Sequence, residues 1–187
     1  MAIEAWSAAQ RRLHWWSAGL IAAAFVIAWV MVAVPLTELL VKFLLYQLHK
    51  TLGLTVLALV VWRLALRARR GRPAWEAALP PWQRRAASWM HGALYGLALA
   101  VPVLGYFTAA TAPAQVPTLF LLVIPIPHAV GPNAAGFDVL RAVHRAAAIL
   151  LVLLAAGHAA AAVHNHRRGR ATLARMWRGV AARAQEW

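Results

Sequence analysis

Four stretches of this chain, Leu13–Val34, Leu44–Leu66, Ala87–Ala109 and Val143–Asn165, each meet the requirement of about 20 predominantly apolar residues for a membrane-spanning helix. Each also carries histidine: His14, His49 and His91 in the first three, and both His144 and His158 in the fourth. An ionisable side chain at hydrocarbon depth is expensive and by default marks a functional site. The chain of 187 residues is 63% hydrophobic, with mean hydropathy +0.62. Soluble domains lie nearer half apolar. The expected fold is therefore an all-α membrane protein, a bundle of four transmembrane helices. Pro102 falls inside the third span, where neighbouring helices can satisfy the carbonyl it frees. The first run is too long for the roughly 7–15-residue apolar core of a signal peptide and reads as a retained span.

Charge orients the bundle. The net charge is +14. The arginines sit in blocks between apolar runs rather than along one helix face, which argues against nucleic acid as a partner and for membrane lipid. Arg11 and Arg12 precede the first span. Arg67, Arg69, Arg70, Arg72, Arg84 and Arg85 fill the second connection, and Arg167, Arg168, Arg170, Arg175, Arg178 and Arg183 fill the tail. The opposite side has Lys42 and Arg141 outside its spans. The positive-inside rule puts both termini in the cytoplasm, and Trp15, Trp16, Trp62, Trp82 and Trp89 mark the cytoplasmic interface. The expected organisation is one membrane domain over 1–187, with a basic cytoplasmic tail at 166–187 and an amphipathic helix around Thr172–Ala184. The third connection, Ala110–Ala142, contains the apolar VPTLFLLVIPIPHAVG. It is too short and too rich in proline for a fifth span, and reads as an interfacial cap over the periplasmic end.

This topology sorts the histidines into two layers. His49 and His144 fall toward the periplasm; His14, His91 and His158 fall toward the cytoplasm. His144 and His158 are fourteen residues apart on one helix. That is roughly 21 Å of rise with an angular offset of only about 40°. One face of the fourth span thus presents a histidine in each leaflet, as two haems stacked across a bilayer require. Cysteine is absent, which excludes thiolate ligation, iron–sulfur clusters and covalent haem attachment. A porphyrin needs room beside its ligand's helix, and residues at i+4 share the ligand's face. They are Ala18 for His14, Gly53 for His49, Ala148 for His144 and Ala162 for His158, but Tyr95 for His91. This favours His14 with His158 as the inner pair and leaves His91 beside a quinone or propionate, although replacement of His14 by His91 as ligand stays open.

The basic neighbours add a second signal. Lys50 and Arg145 adjoin the outer histidines, where they could neutralise propionates or attract a small anion. Arg12 and Arg63, with Arg11 and Arg67, could do the same on the inner side. Snorkelling to lipid headgroups is the plainer alternative for each. Gly92 and Gly96 form a GxxxG whose expected role is close helix packing. His128, His164 and His166 read as loop or interface residues.

The pieces RRLHWW, LHKTLGLTVLALVVWRLALR, MHGALYGLALAVPVLGYF and VHRAAAILLVLLAAGHAAAAVHNH occur in order over about four-fifths of the chain. With them the chain resembles the bacterial cytochrome b561 family of four-helix, di-haem membrane proteins. The resemblance implies two haems b in the inner membrane, ligated by His14 with His158 and by His49 with His144. It further implies electron transfer between the periplasmic face and the quinone pool, with superoxide:ubiquinone oxidoreductase as one such activity. A related expectation is the cytochrome b subunit of a periplasmic dehydrogenase or hydrogenase, fed by a docked redox protein. A haem-free transporter using the same histidines is a third class. It is disfavoured because no carboxylate lies within the spans.

Overall fold

The computed structural model of the chain describes residues 6–75 and 79–177. Four long helices dominate it: α1 (Ala8–Ala33), α2 (Leu39–Arg70), α3 (Pro81–Thr111) and α4 (Ala134–Arg167). All four are long and apolar enough to cross a membrane. Their ends differ from the apolar runs because local caps, not hydropathy, terminate helices. Ser7 and Gln10 form a reciprocal capping box that starts α1 upstream of Leu13. Gly71, at φ +70°, closes α2 with its N–H on Arg67 O. Pro81 opens α3 at a position that needs no N–H donor. Asn133 caps α4, its side-chain oxygen accepting from Gly136 N at 2.9 Å. Pro102 sits within a continuous α3.

Helix α1 packs on α2, α2 on α3 and α3 on α4. The buried apolar core is small: Val56, Val60, Ala98 and Leu151. Large apolar side chains such as Val26, Trp29, Val61, Val139 and Leu153 are exposed instead. Lipid rather than protein covers such a surface, so the inside-out pattern of a soluble bundle does not arise. The close helix packing expected of Gly92 and Gly96 is not found, since a Cβ built at either meets nothing within 4 Å. The tight approach is at Gly105, against His144.

Lys42 donates from Nζ to the carbonyls of Met31 (3.1 Å) and Val34 (2.6 Å), satisfying acceptors left at the end of α1. The third connection carries an antiparallel hairpin, β1 (Thr118–Phe120) and β2 (Ile124–Ile126), lying against α2. The tail contributes a short α5 (Ala174–Trp177), anchored where Trp15 Nε1 donates to Met176 O at 3.1 Å. The rest of the expected Thr172–Ala184 helix, with Arg178 and Arg183, lies outside the described residues.

Candidate functional site

Two histidine layers sit in the bundle, one toward each end. At the end bearing the third connection, His49 of α2 faces His144 of α4, with ring centroids 6.2 Å apart and planes at 86°. His49 Nδ1–H donates to Ala24 O on α1, and His144 Nδ1–H donates to Val101 O on α3, each at 3.0 Å. A carbonyl only accepts, so the proton of each neutral ring belongs on Nδ1. Each Nε2 keeps a free lone pair, the arrangement in which a metal-binding histidine is oriented by a carbonyl partner.

The spacing also suits a shared ion. An imidazole nitrogen binds a transition metal at about 2.0 Å, so two rings on opposite sides of one ion hold their centroids about 6.3 Å apart. Gly105 makes the position of His144 possible, because a Cβ there would lie 2.9 Å from His144 Cε1. One turn beyond His49, a Cβ at Gly53 would meet nothing within 4 Å, leaving that helix face open.

At the other end, His14 of α1 and His158 of α4 have ring centroids 6.3 Å apart at 69°. His91 of α3 also faces His158, but at 5.2 Å and 67°. The first spacing fits an ion between the rings; the second is about an ångström too short. The electrostatics differ from those of the other layer. Arg63 donates from Nη2 to His14 Nδ1 at 3.1 Å. A guanidinium has no acceptor, so here Nδ1 holds the lone pair and the proton of the neutral ring sits on Nε2. Arg63 and Arg67 both lie over the Tyr95 ring, at 5.2 and 5.7 Å from its centroid. Among the described residues no three His, Asp or Glu side chains group as a metal cage. The geometry offers pairs.

The other expected residues are placed as follows. Lys50 donates from Nζ to Val116 O and Pro117 O, each at 3.3 Å, and so ties down the third connection. Arg145 is exposed. Arg12 lines an open cavity of ≈ 730 Å³ with Trp15, Trp16 and Trp177, a lining that includes no histidine. His128, on the third connection, meets Thr118 Oγ1 through Nε2 at 3.2 Å. Partial burial, and then the charge of Lys50, hold its pKa below the ordinary histidine value. His164 and His166 lie in the last turn of α4.

Sequence reasoning missed the orienting carbonyls of Ala24 and Val101, which leave no mark in a sequence. It quoted Gly105 only inside the piece MHGALYGLALAVPVLGYF. It passed over Gln47 and Thr51, both buried. A signal for these two was present: polar residues one helical turn apart in an apolar span.

Comparison with known proteins adds identity to this geometry. Residues 5–179 match the family described as prokaryotic cytochrome b561. Over 123 residues, 66% of this chain and 68% of the relative, the sequence is 32% identical to cytochrome b561 homolog 1 of Escherichia coli (strain K12).

Proposed function

Because the chain belongs to the prokaryotic cytochrome b561 family, whose members are multi-pass inner-membrane proteins that carry electrons on haem b, we propose that it holds two haems b in stacked sites and passes electrons from the periplasmic face to ubiquinone. The observation that carries this reading is the pair of centroid separations, 6.2 Å for His49 with His144 and 6.3 Å for His14 with His158. Haem b, when bound, supplies one-electron carriage. The protein supplies axial nitrogens, burial and neighbouring charge, which tune potentials.

In this reading His49 and His144 ligate through Nε2, held in that tautomer by Ala24 O and Val101 O. His14 and His158 ligate the second group, and His91 lines that layer without ligating. With a haem bound, His14 would carry its proton on Nδ1 and offer Nε2, so Arg63 would no longer donate to that ring and its charge would be free to face a propionate. Arg12 faces headgroups. The arginine blocks support a cytoplasmic location for both termini. Electrons enter beside His49 and His144 and leave beside His14 and His158.

Superoxide is the donor that the charges favour. Arg145 is an exposed cation next to His144 whose long side chain can snorkel toward the periplasmic surface, on a side with little other positive charge, which suits capture of a small anion. A docked periplasmic redox protein is the competing donor. The deciding measurement is haem b per chain, by pyridine haemochrome and reduced-minus-oxidised spectra. Two are expected. One haem would break the four-ligand assignment, and none would end the cytochrome reading. Ubiquinone reduction by superoxide in the isolated protein then separates the donors: full activity alone supports superoxide, and activity only with a co-purified subunit supports the complex.

A further inference from the structure

The third connection leaves the bundle at Thr111 and returns to it at Asn133, whose N–H donates to Thr111 O at 2.9 Å. Between these closed ends the chain carries no Asp, Glu, Lys or Arg. It does not stay at the level of the helix ends. His144 reaches Val101 O on α3 and pairs with His49 on α2, so these three positions share one level. Thr111 lies ten residues further along α3, about 15 Å above that level. Yet Leu121 N–H donates to Thr51 Oγ1 at 3.1 Å. Thr51 lies two residues past His49 on α2, about 3 Å deeper still. The hairpin turn therefore descends roughly 15–18 Å alongside α2.

Backbone at that depth must have its polar groups satisfied by protein. The edge of β1 that faces α2 is satisfied by two side chains of that helix. Leu119 N donates to Gln47 Oε1 at 2.9 Å, and Leu121 N donates to Thr51 Oγ1. Gln47 returns a bond from Nε2 to Pro117 O at 2.8 Å and is itself fully buried. Since Leu119 N is taken and Pro125 has no N–H, the ladder bonds fall at Thr118↔Ile126 and Phe120↔Ile124. The outward edge of β2 then falls to Pro125, with Pro127 just beyond the strand, and neither has a donor to leave unpaired. Within the turn, Leu122 N donates to Leu119 O and Val123 N to Phe120 O.

The tip is apolar and uncovered: Leu121 is 60% exposed, Leu122 52%, Val123 75% and Ile124 52%. Leu121 and Leu122 hold positive φ, 53° and 63°, where a turn in water favours Gly or Asn. Leucine there gives up turn propensity for apolar surface. We infer that β1–β2 is a re-entrant hairpin, immersed in one leaflet with Leu121–Ile124 against lipid acyl chains, and clamped to α2 by Gln47 and Thr51. The connection is thus a lipid-facing element rather than a lid over the bundle's end. The inference rests on the four spans and not on the haem assignment.

The chain's lack of cysteine makes the test direct. Val123→Cys and Gly131→Cys, the latter at an open loop position, are each given a nitroxide label in the purified full-length protein. The labelled proteins are reconstituted into phospholipid vesicles, with an unchanged circular dichroism spectrum as the check on folding. Collision of each label with dissolved oxygen, which concentrates in hydrocarbon, is compared with collision with a water-soluble nickel chelate. The label at 123 should meet the chelate several-fold less often than the label at 131, and oxygen more often. Equal access of the chelate to both positions would overturn the inference and put the tip in water, where a soluble protein could dock on it. A second variant pair, Gln47→Leu with Thr51→Val in the Val123→Cys background, should raise chelate access at 123 as the clamp is lost. Unchanged access there would show that these two side chains do not hold the hairpin.

Discussion

His49 and His144 are each held by a carbonyl from a helix other than their own, whereas His14 is held by an arginine. The contrast lies in what each partner does to the ring. A backbone carbonyl is fixed by its helix and fixes the Nδ1–H tautomer, so the pair near the third connection is preset to offer Nε2 to a metal. A guanidinium on a long side chain is mobile and imposes the opposite tautomer. The second layer also has a surplus histidine, two arginines and a tyrosine. One layer is built for a single arrangement; the other has side chains that can rearrange, which fits the proposed delivery of electrons to a quinone there.

Substitutions should separate the two layers, and the ligands should show the largest effects. His144→Ala should lower haem b from two to one per chain and bring quinone reduction to background, while His91→Ala should retain both haems. Loss of a haem from His91→Ala would replace His14 by His91 in the pairing. Next in size is Gly105→Ala. The new methyl group meets the His144 ring, and overpacking of this kind costs about 1–3 kcal/mol. Partial loss of the outer haem on mild heating should follow, with the inner haem unaffected; equal loss of both would mean that the strain is not local.

Smaller still is Arg63→Leu. Removing a cation beside the inner pair disfavours the reduced form, so the midpoint potential of one haem should fall by about 60 mV, a tenfold shift for a one-electron couple. Redox titration with both potentials unchanged would remove Arg63 from the site. The smallest effect is at the surface. Arg145→Glu should slow reaction with superoxide about tenfold at low salt, with the difference fading as salt rises. Because Lys50 already bonds two loop carbonyls, Lys50→Gln should disturb the third connection more than it disturbs anion capture.

Much of this was legible along the chain. The four spans follow from length and hydropathy, and a 3.6-residue period with a 1.5 Å rise puts His144 and His158 on one face at two depths. The partners of those histidines were only partly legible. Depth placed three candidates in one layer, but depth is a coordinate along the helix axis, and choosing among His14, His91 and His158 needs the lateral positions of α1, α3 and α4. The GxxxG expectation failed for the same reason: Gly92 and Gly96 are one turn apart on α3, but no neighbour approaches the face they form. The cap reading of residues 110–142 rested on length and apolar composition, whereas the contact of Leu121 with Thr51 is visible only in the folded chain.

By itself, then, the sequence determined that the chain crosses a membrane four times and carries histidine at two depths, because these properties are periodic or additive along the chain. Tertiary structure alone decided which ring faces which, which nitrogen keeps its proton, why residue 105 must be glycine and where the hairpin lies. Each of these depends on contacts of a few ångströms between atoms far apart in sequence, such as His144 with Val101 or Leu121 with Thr51. Helix periodicity constrains such contacts but does not specify them.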